Sequence, residues 1–383
     1  MELEILKAYK NDPYYSLPKV RSVIPRKYYK PDWFWALGYS FVGISFFLLS
    51  NFFSYWVWLR GFWWIAPLAW ILCGTAFGSL FALGHDCGHF SFYPAKWANI
   101  IFGHFFMLPS LYPYYAWKYM HDAHHKHTNL LENRYQKEKS VYFDTAWFPK
   151  TKFEYEDELI KTPWKAWAYR IYRIFLPLFV LLHFPLYIFN PFVFHPKHRK
   201  KVYLSYAIFF SLVFFMSSLL ISLTGSFLSL FHFWILPSAI SSCWMVLYTF
   251  LHHTSTETGF YEQKEWSPYL AQIRSTINCL FPRWLSFLHF NIDIHIPHHL
   301  AINIPCYYLR TVNQILKKSS YGKDIQEVPF SLNYLVHQVG QCNLWDPYDK
   351  NFEKFPKGNI FIYFTKKSKV LIDKIPLKNF LNI

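Results

Sequence analysis

The sequence predicts an all-α membrane protein: four transmembrane helices in two hairpins, under a cytosolic helical cap that holds a His-rich metal site. Three observations lead there. Four apolar stretches, roughly 33–55, 62–84, 203–224 and 231–252, have about the 20-residue length that crosses a hydrocarbon core. Aromatic residues make up 23% of the 383-residue chain, with 41 Phe, 29 Tyr and 17 Trp, and Trp and Tyr gather at membrane–water interfaces. Finally, 18 His occur, most of them clustered just outside the apolar stretches.

Each element follows in order. Residues 1–32 are charged and hold several Pro. They lack the apolar run of a signal peptide, so insertion is expected to rely on the internal helices. The first two apolar stretches are joined by a very short link around Arg60 and Gly61, which makes them a helical hairpin. Residues 97–116 are apolar but broken by Pro109 and Pro113, and read as interfacial or re-entrant. Residues 117–168 are polar. Residues 171–194, interrupted by Pro177, Pro185 and Pro191, read as interfacial. The third and fourth spans are joined by GSFLSLF, and the chain beyond 255 is mostly polar. Domain boundaries are placed at 1–32, 33–350 and a basic tail at 351–383.

The net charge of +16 suits nucleic acid or an anionic membrane surface. The apolar spans favour the membrane, and neither a zinc finger nor a compact basic recognition helix is present, so no nucleic-acid partner is expected. Lys and Arg crowd the N-terminal segment, the middle region and the tail, while the two hairpin links are nearly free of charge. The positive-inside rule then places both termini in the cytosol. Six scattered Cys, with no CxxC pair, read as small buried apolar residues.

The His clusters carry the chemistry. They are GHDCGH with His85 and His89, HDAHHKH with His121, His124, His125 and His127, and HIPHH with His295, His298 and His299. The pair His252 and His253 closes the fourth span. On a helix, positions three and four apart share a face, so His85 and His89 can meet one ion. The H-x-x-H-H pattern does the same and splays its adjacent pair toward two. The orientation argument brings all these groups to one side of the membrane.

Eight His of the three clusters plus His253 supply four or five ligands to each of two ions. A structural zinc needs four ligands and usually recruits Cys. Nine imidazoles with open positions fit two oxygen-activating iron ions best. Asp86, Asp122 and Asp293 neighbour these His and are candidate acceptors for imidazole N–H groups. His127 and His252 read as supporting or incidental residues rather than ligands, and His289, six before His295, as a candidate ligand or water-holder. His104, His183, His195, His198, His232 and His337 read as packing or interfacial residues. A membrane metal transporter is the rival from another class; it would run polar residues through its spans, and these spans carry few charges.

The stretches GHDCGHFSF at 84–92, HDAHHKHTN at 121–129, DTAWFP at 144–149, FLHHT at 250–254 and HIPHHLAINIPCYYLR at 295–310, with GQCNLWDP at 340–347, resemble the membrane-bound fatty acid desaturases. The acyl-lipid Δ12 (omega-6) branch, with cyanobacterial and plastid-type members, is the most similar. The resemblance spans roughly residues 30–350. It implies that His85, His89, His121, His124, His125, His295, His298 and His299 bind two Fe ions, with His253 as the ninth ligand. It also implies O2 as co-substrate, a kinked acyl tunnel and an oleoyl group on a membrane glycerolipid as substrate, converted to linoleoyl. No haem-binding cytochrome segment is recognisable, so a separate electron donor, cytochrome b5 or ferredoxin, is implied. The membrane is that of the endoplasmic reticulum or a bacterial or plastid-type one. Omega-3 desaturation, hydroxylation, epoxidation and acetylenation begin with the same hydrogen abstraction, and the clusters do not separate them. The loop ENRYQKEKSVYF, between the second cluster and DTAW, departs from the family pattern.

Overall fold

The computed structural model describes residues 9–131, 149–175 and 186–356. The ENRYQKEKSVYF loop, most of DTAWFP, His183 and most of the C-terminal tail lie outside them.

Helix formation follows the apolar runs, and their ends follow local chemistry. A short helix α1 (Leu17–Ser22) precedes the first long one, α2 (Trp33–Arg60). Asp32 caps α2, its carboxylate accepting from Phe34 N at 2.8 Å, which satisfies a backbone donor the helix itself leaves open. Gly61 ends α2 in the left-handed region, φ +64°, where a Cβ would be strained. Gly225 does the same, φ +67°, after the third long helix. Both interspan links therefore turn on a glycine.

Helix α3 (Ala66–Gly88) carries the first His cluster in its last turns. Next come α4 (Lys96–Met107) and α5 (Tyr114–His127). The chain breaks between them at the two prolines: the Pro109 carbonyl accepts from Trp234 Nε1 and Ser238 Oγ, and Pro113 stands at the start of α5. After β1 (Lys150–Thr151) come α6 (Lys152–Lys161) and α7 (Pro163–Ile174). The long α8 (Pro196–Thr224) and α9 (Leu228–His253) follow. The cap is completed by β2 (Asn278–Leu280), α10 (Arg283–Leu288), α11 (His295–Leu300), α12 (Cys306–Lys318), β3 (Glu327–Pro329), α13 (Leu332–Gln341), β4 (Leu344–Asp346) and β5 (Asn351–Glu353).

Helices α2, α3, α8 and α9 are long and apolar enough to cross a membrane. They overrun the apolar stretches at most ends, because a helix does not stop where the hydrocarbon does. His85 accordingly lies inside α3 rather than after it. Helix α3 is the central one, with α2 and α9 packed along it. Gly74 permits this contact: a Cβ there would come within 2.8 Å of the Pro237 carbonyl of α9. Small residues let two helices approach closely where lipid supplies no hydrophobic drive. Helix α8 turns most of its apolar surface outward, with Phe214 75% and Leu223 65% exposed, and Phe41 and Phe52 of α2 are similarly bare. Large apolar side chains so exposed fit contact with lipid.

The cap is helical with two small sheets that the sequence reading did not anticipate. β1 pairs parallel to β4 and β4 antiparallel to β5; β2 pairs parallel to β3. Strands of two or three residues are too short to show alternation. The N-terminal segment joins the same packed body through Val20 and Ile24, both buried. The β4–β5 hairpin also continues past residue 350. All six Cys are free, and all but the half-buried Cys243 are buried.

Candidate metal centre

Four helices bring nine imidazoles together. His85 and His89 end α3, and His121, His124 and His125 lie on α5. His253 ends α9, and His295, His298 and His299 lie on α11. They form two groups. One is His85, His89, His121, His125 and His298; the other is His124, His253, His295 and His299. In each group one ring nitrogen per residue lies within 4.8 Å of all the others. The adjacent pairs His124/His125 and His298/His299 part company, one member to each group, because neighbours on a helix point about 100° apart.

The spacing fits two metal ions. Imidazole nitrogens about 2.1 Å from an ion and at right angles to each other stand about 3.0 Å apart. The Nε2 atoms of His125 and His121 are 3.0 Å apart, and those of His298 and His125 2.9 Å. In the other group, His124 to His253 is 3.2 Å and His253 to His295 is 3.0 Å. Both nitrogens of His89 and Nε2 of His299 are buried with no hydrogen-bond partner among the described residues. Such donors and acceptors are costly to bury unless a ligand takes them.

Burial, reinforced by the neighbouring imidazoles, holds His89, His295, His298 and His299 well below the ordinary histidine range. These rings are therefore neutral at physiological pH, the form that binds a metal. The first group offers five imidazole nitrogens and the second four.

The supporting contacts differ from expectation residue by residue. Asp86 does accept from an imidazole: its Oδ1 is 3.0 Å from His85 Nδ1. Its Oδ2 takes the Cys306 N–H at 2.6 Å, at the start of α12, so the carboxylate is held between the His85 ring and a helix N-terminus. Asp122 instead pairs with Lys118, one turn back on α5, at 2.9 Å, and belongs to neither group. Asp293 accepts from Ser286 Oγ at 2.6 Å and Phe281 N at 3.1 Å and ties the turn before α11.

His289 reaches neither group. Its Nδ1 meets the Tyr248 hydroxyl at 2.8 Å and its Nε2 the Thr75 carbonyl at 3.1 Å. Phe290 and Asn291, both at positive φ, turn the chain so that His289 enters between α3 and α9. His127 ends α5 outside both groups. His252 stacks on His295 with centroids 4.1 Å apart, and both its nitrogens lack a partner among the described residues. Of the remaining His, His104 bonds the Ile100 carbonyl, His195 caps α8, and His198 stacks on Tyr119. His232 sits between Ser54 and Trp70, and His337 is exposed on α13.

Two supporting residues escaped the sequence reading. Asn278 Oδ1 accepts from both His295 N and Ile296 N at 2.8 Å and so caps α11; Asn313 holds its amide in turn. Gln272, on a π-helical turn at Leu270–Arg274, takes the His299 Nδ1–H. Neither stands near a His in sequence, and a lone Asn or Gln gives no signal by itself.

Comparison with known proteins gives this constellation its context. The family model described as fatty acid desaturase matches residues 61–329. An sn-1 oleoyl-lipid 12-desaturase from a Synechocystis species is 34% identical over 293 residues, covering 74% of this chain and 77% of that protein. A similar enzyme of the same name from Anabaena variabilis is 31% identical, covering 79% of this chain and 83% of its own length. The chloroplastic omega-6 fatty acid desaturase of Glycine max is 31% identical, covering 74% and 63%. The family match takes in the whole stretch from the first His cluster to the third, and on that ground the chain belongs to the fatty acid desaturase family.

Proposed function

We propose that this chain is an O2-dependent acyl-lipid desaturase that places a cis double bond at the Δ12 (omega-6) position of an oleoyl chain, giving a linoleoyl lipid. The convergence of nine imidazoles into two adjacent groups carries the reading, and the names of its relatives specify the substrate. Overall, CH2–CH2 with O2, two electrons and two protons gives CH=CH and two waters.

Iron held by the two groups supplies the oxidising power to take hydrogen from an unactivated CH2, which acid–base side chains cannot do. The chain's own residues do the rest. His85, His89, His121, His125 and His298 hold one ion, and His124, His253, His295 and His299 the other. Asp86 fixes His85 with its Nδ1 protonated and Nε2 free to bind. Apolar walls decide which carbons reach the site, and small misplacement shifts the outcome.

The four long helices span the membrane as two hairpins with both termini and the cap in the cytosol, and residues 33–350 carry the activity. Electrons come from a separate carrier, cytochrome b5 or ferredoxin, which the basic chain attracts.

Expression in yeast, a host that makes oleate but no linoleate, tests the reading, with fatty acids profiled by mass spectrometry and His124→Ala as control. The expected result is an 18:2 acid with double bonds at carbons 9 and 12, absent from the control. A hydroxylated or triple-bonded product would retain the metal site and replace the reaction. No new acid, even with a matched carrier supplied, would overturn the substrate.

A further inference from the structure

We infer that Gln272 is a positioning residue for the four-His ion: it fixes the tautomer and orientation of His299 and ties that ring to the backbone of the five-His group. This rests on the reading that the two His groups hold metal ions.

Gln272 is 4% exposed, and its carboxamide uses both of its ends. Its Oε1 accepts the His299 Nδ1–H, and its Nε2–H donates to the His125 carbonyl in the last turn of α5. The Thr128 hydroxyl stands 3.5 Å from Oε1. With Nδ1 protonated, the lone pair of His299 is on Nε2, which has no hydrogen-bond partner among the described residues. A single side chain thus fixes a ring of one group against the helix that carries three ligands of both.

The local backbone is built for this. The turn closes with a five-residue step, Ser275 N to Leu270 O at 2.8 Å. Such π-helical turns widen a helix locally and are frequent at functional sites.

The two groups therefore receive different partners. His85 donates to a carboxylate, Asp86, while His299 donates to a neutral amide. A carboxylate makes the imidazole it accepts from more electron-rich than an amide does. The ion of the five-His group gains an anionic support, and the ion of the four-His group keeps a neutral one.

The test is a Co2+ titration of the metal-free full chain in detergent, read by visible ligand-field absorption. The unaltered protein is expected to take up two equivalents. Gln272→Leu should weaken one of the two by about 10- to 100-fold and leave the other unchanged. Gln272→Glu, which keeps an acceptor for His299 and loses the donor to the His125 carbonyl, should restore part of that binding. Should the Leu variant fail to fold, Gln272→Asn, one methylene short, takes its place with the same weakening expected. Two equivalents bound as tightly in the variant as in the unaltered protein would overturn the assignment, and so would equal weakening of both without rescue by Glu. Failure of the unaltered chain to bind two equivalents would instead remove the metal reading on which the assignment stands.

Discussion

His124 and His125 are adjacent in the chain yet serve different groups, and the pair His298 and His299 repeats the arrangement. The site is therefore read off the helical angle between neighbours rather than off proximity in sequence. Its protonation follows from burial. His89, His295, His298 and His299 are held neutral in the folded chain, their pKa pushed well below the ordinary value of 6.5. In the unfolded chain the same rings take up protons as the pH falls through about 6.5. Below that pH the unfolded state binds more protons, so stability is fully present above it and is lost on acidification. Thermal unfolding of the metal-free protein should therefore occur at a lower temperature at pH 5.5 than at pH 7.5. A melting temperature that is flat or rises over that interval would contradict the neutral assignment. Asp86, by contrast, is the one carboxylate of the three candidates that meets a ring of either group, and its second oxygen on Cys306 N explains why: the N-terminus of α12 favours an anion there.

Between elements, the critical contact is that of α3 with α9, since these two helices deliver His85, His89 and His253. The backbones approach closely at Gly74, where a Cβ would meet the Pro237 carbonyl and Ile240. Gly74→Leu should force the two helices apart at about 1–3 kcal/mol and displace His253 from His85. The expected readout is a lower melting temperature together with reduced bound metal, whereas Gly38→Leu, at a position with open space around it, should leave both unchanged. Equal behaviour of the two variants would show that the close contact does not govern the site. Helix α11 depends on a different device. It has six residues and starts without a cap of its own, and Asn278 supplies the missing acceptor from β2.

Across the whole molecule, the bare apolar faces on α2 and α8 fit contact with lipid, and the proposed topology puts the cap and the N-terminal segment on one side of the bilayer and the two glycine links on the other. The native Cys are buried or half-buried and so react slowly, which makes single-cysteine labelling clean. In sealed microsomes a membrane-impermeant maleimide should label Lys318→Cys, exposed at the end of α12. It should reach Phe227→Cys, 73% exposed beside the second link, only after detergent. Labelling of both from outside, or of Phe227→Cys alone, would refute the proposed topology.

Much of this was legible in the sequence, for physical reasons. A stretch of about 20 apolar residues can only be satisfied as a helix in lipid, so the long helices are written in composition. His at three- and four-residue spacing share a helical face, so the ligand candidates are written in periodicity. Tertiary structure decided what spacing does not contain. It determined which of the nine His share a group, because that depends on how α3, α5, α9 and α11 cross. It turned Asp293 and His289 away from the groups, because two positive-φ residues redirect the chain before α11. It also recruited Gln272 and Asn278, whose hydrogen bonds join segments 27 and 17 residues apart. The apolar pattern and the His spacing are local properties, set by each residue's neighbours in the chain; the partners of the clustered His rings are set by packing, which only the folded molecule defines.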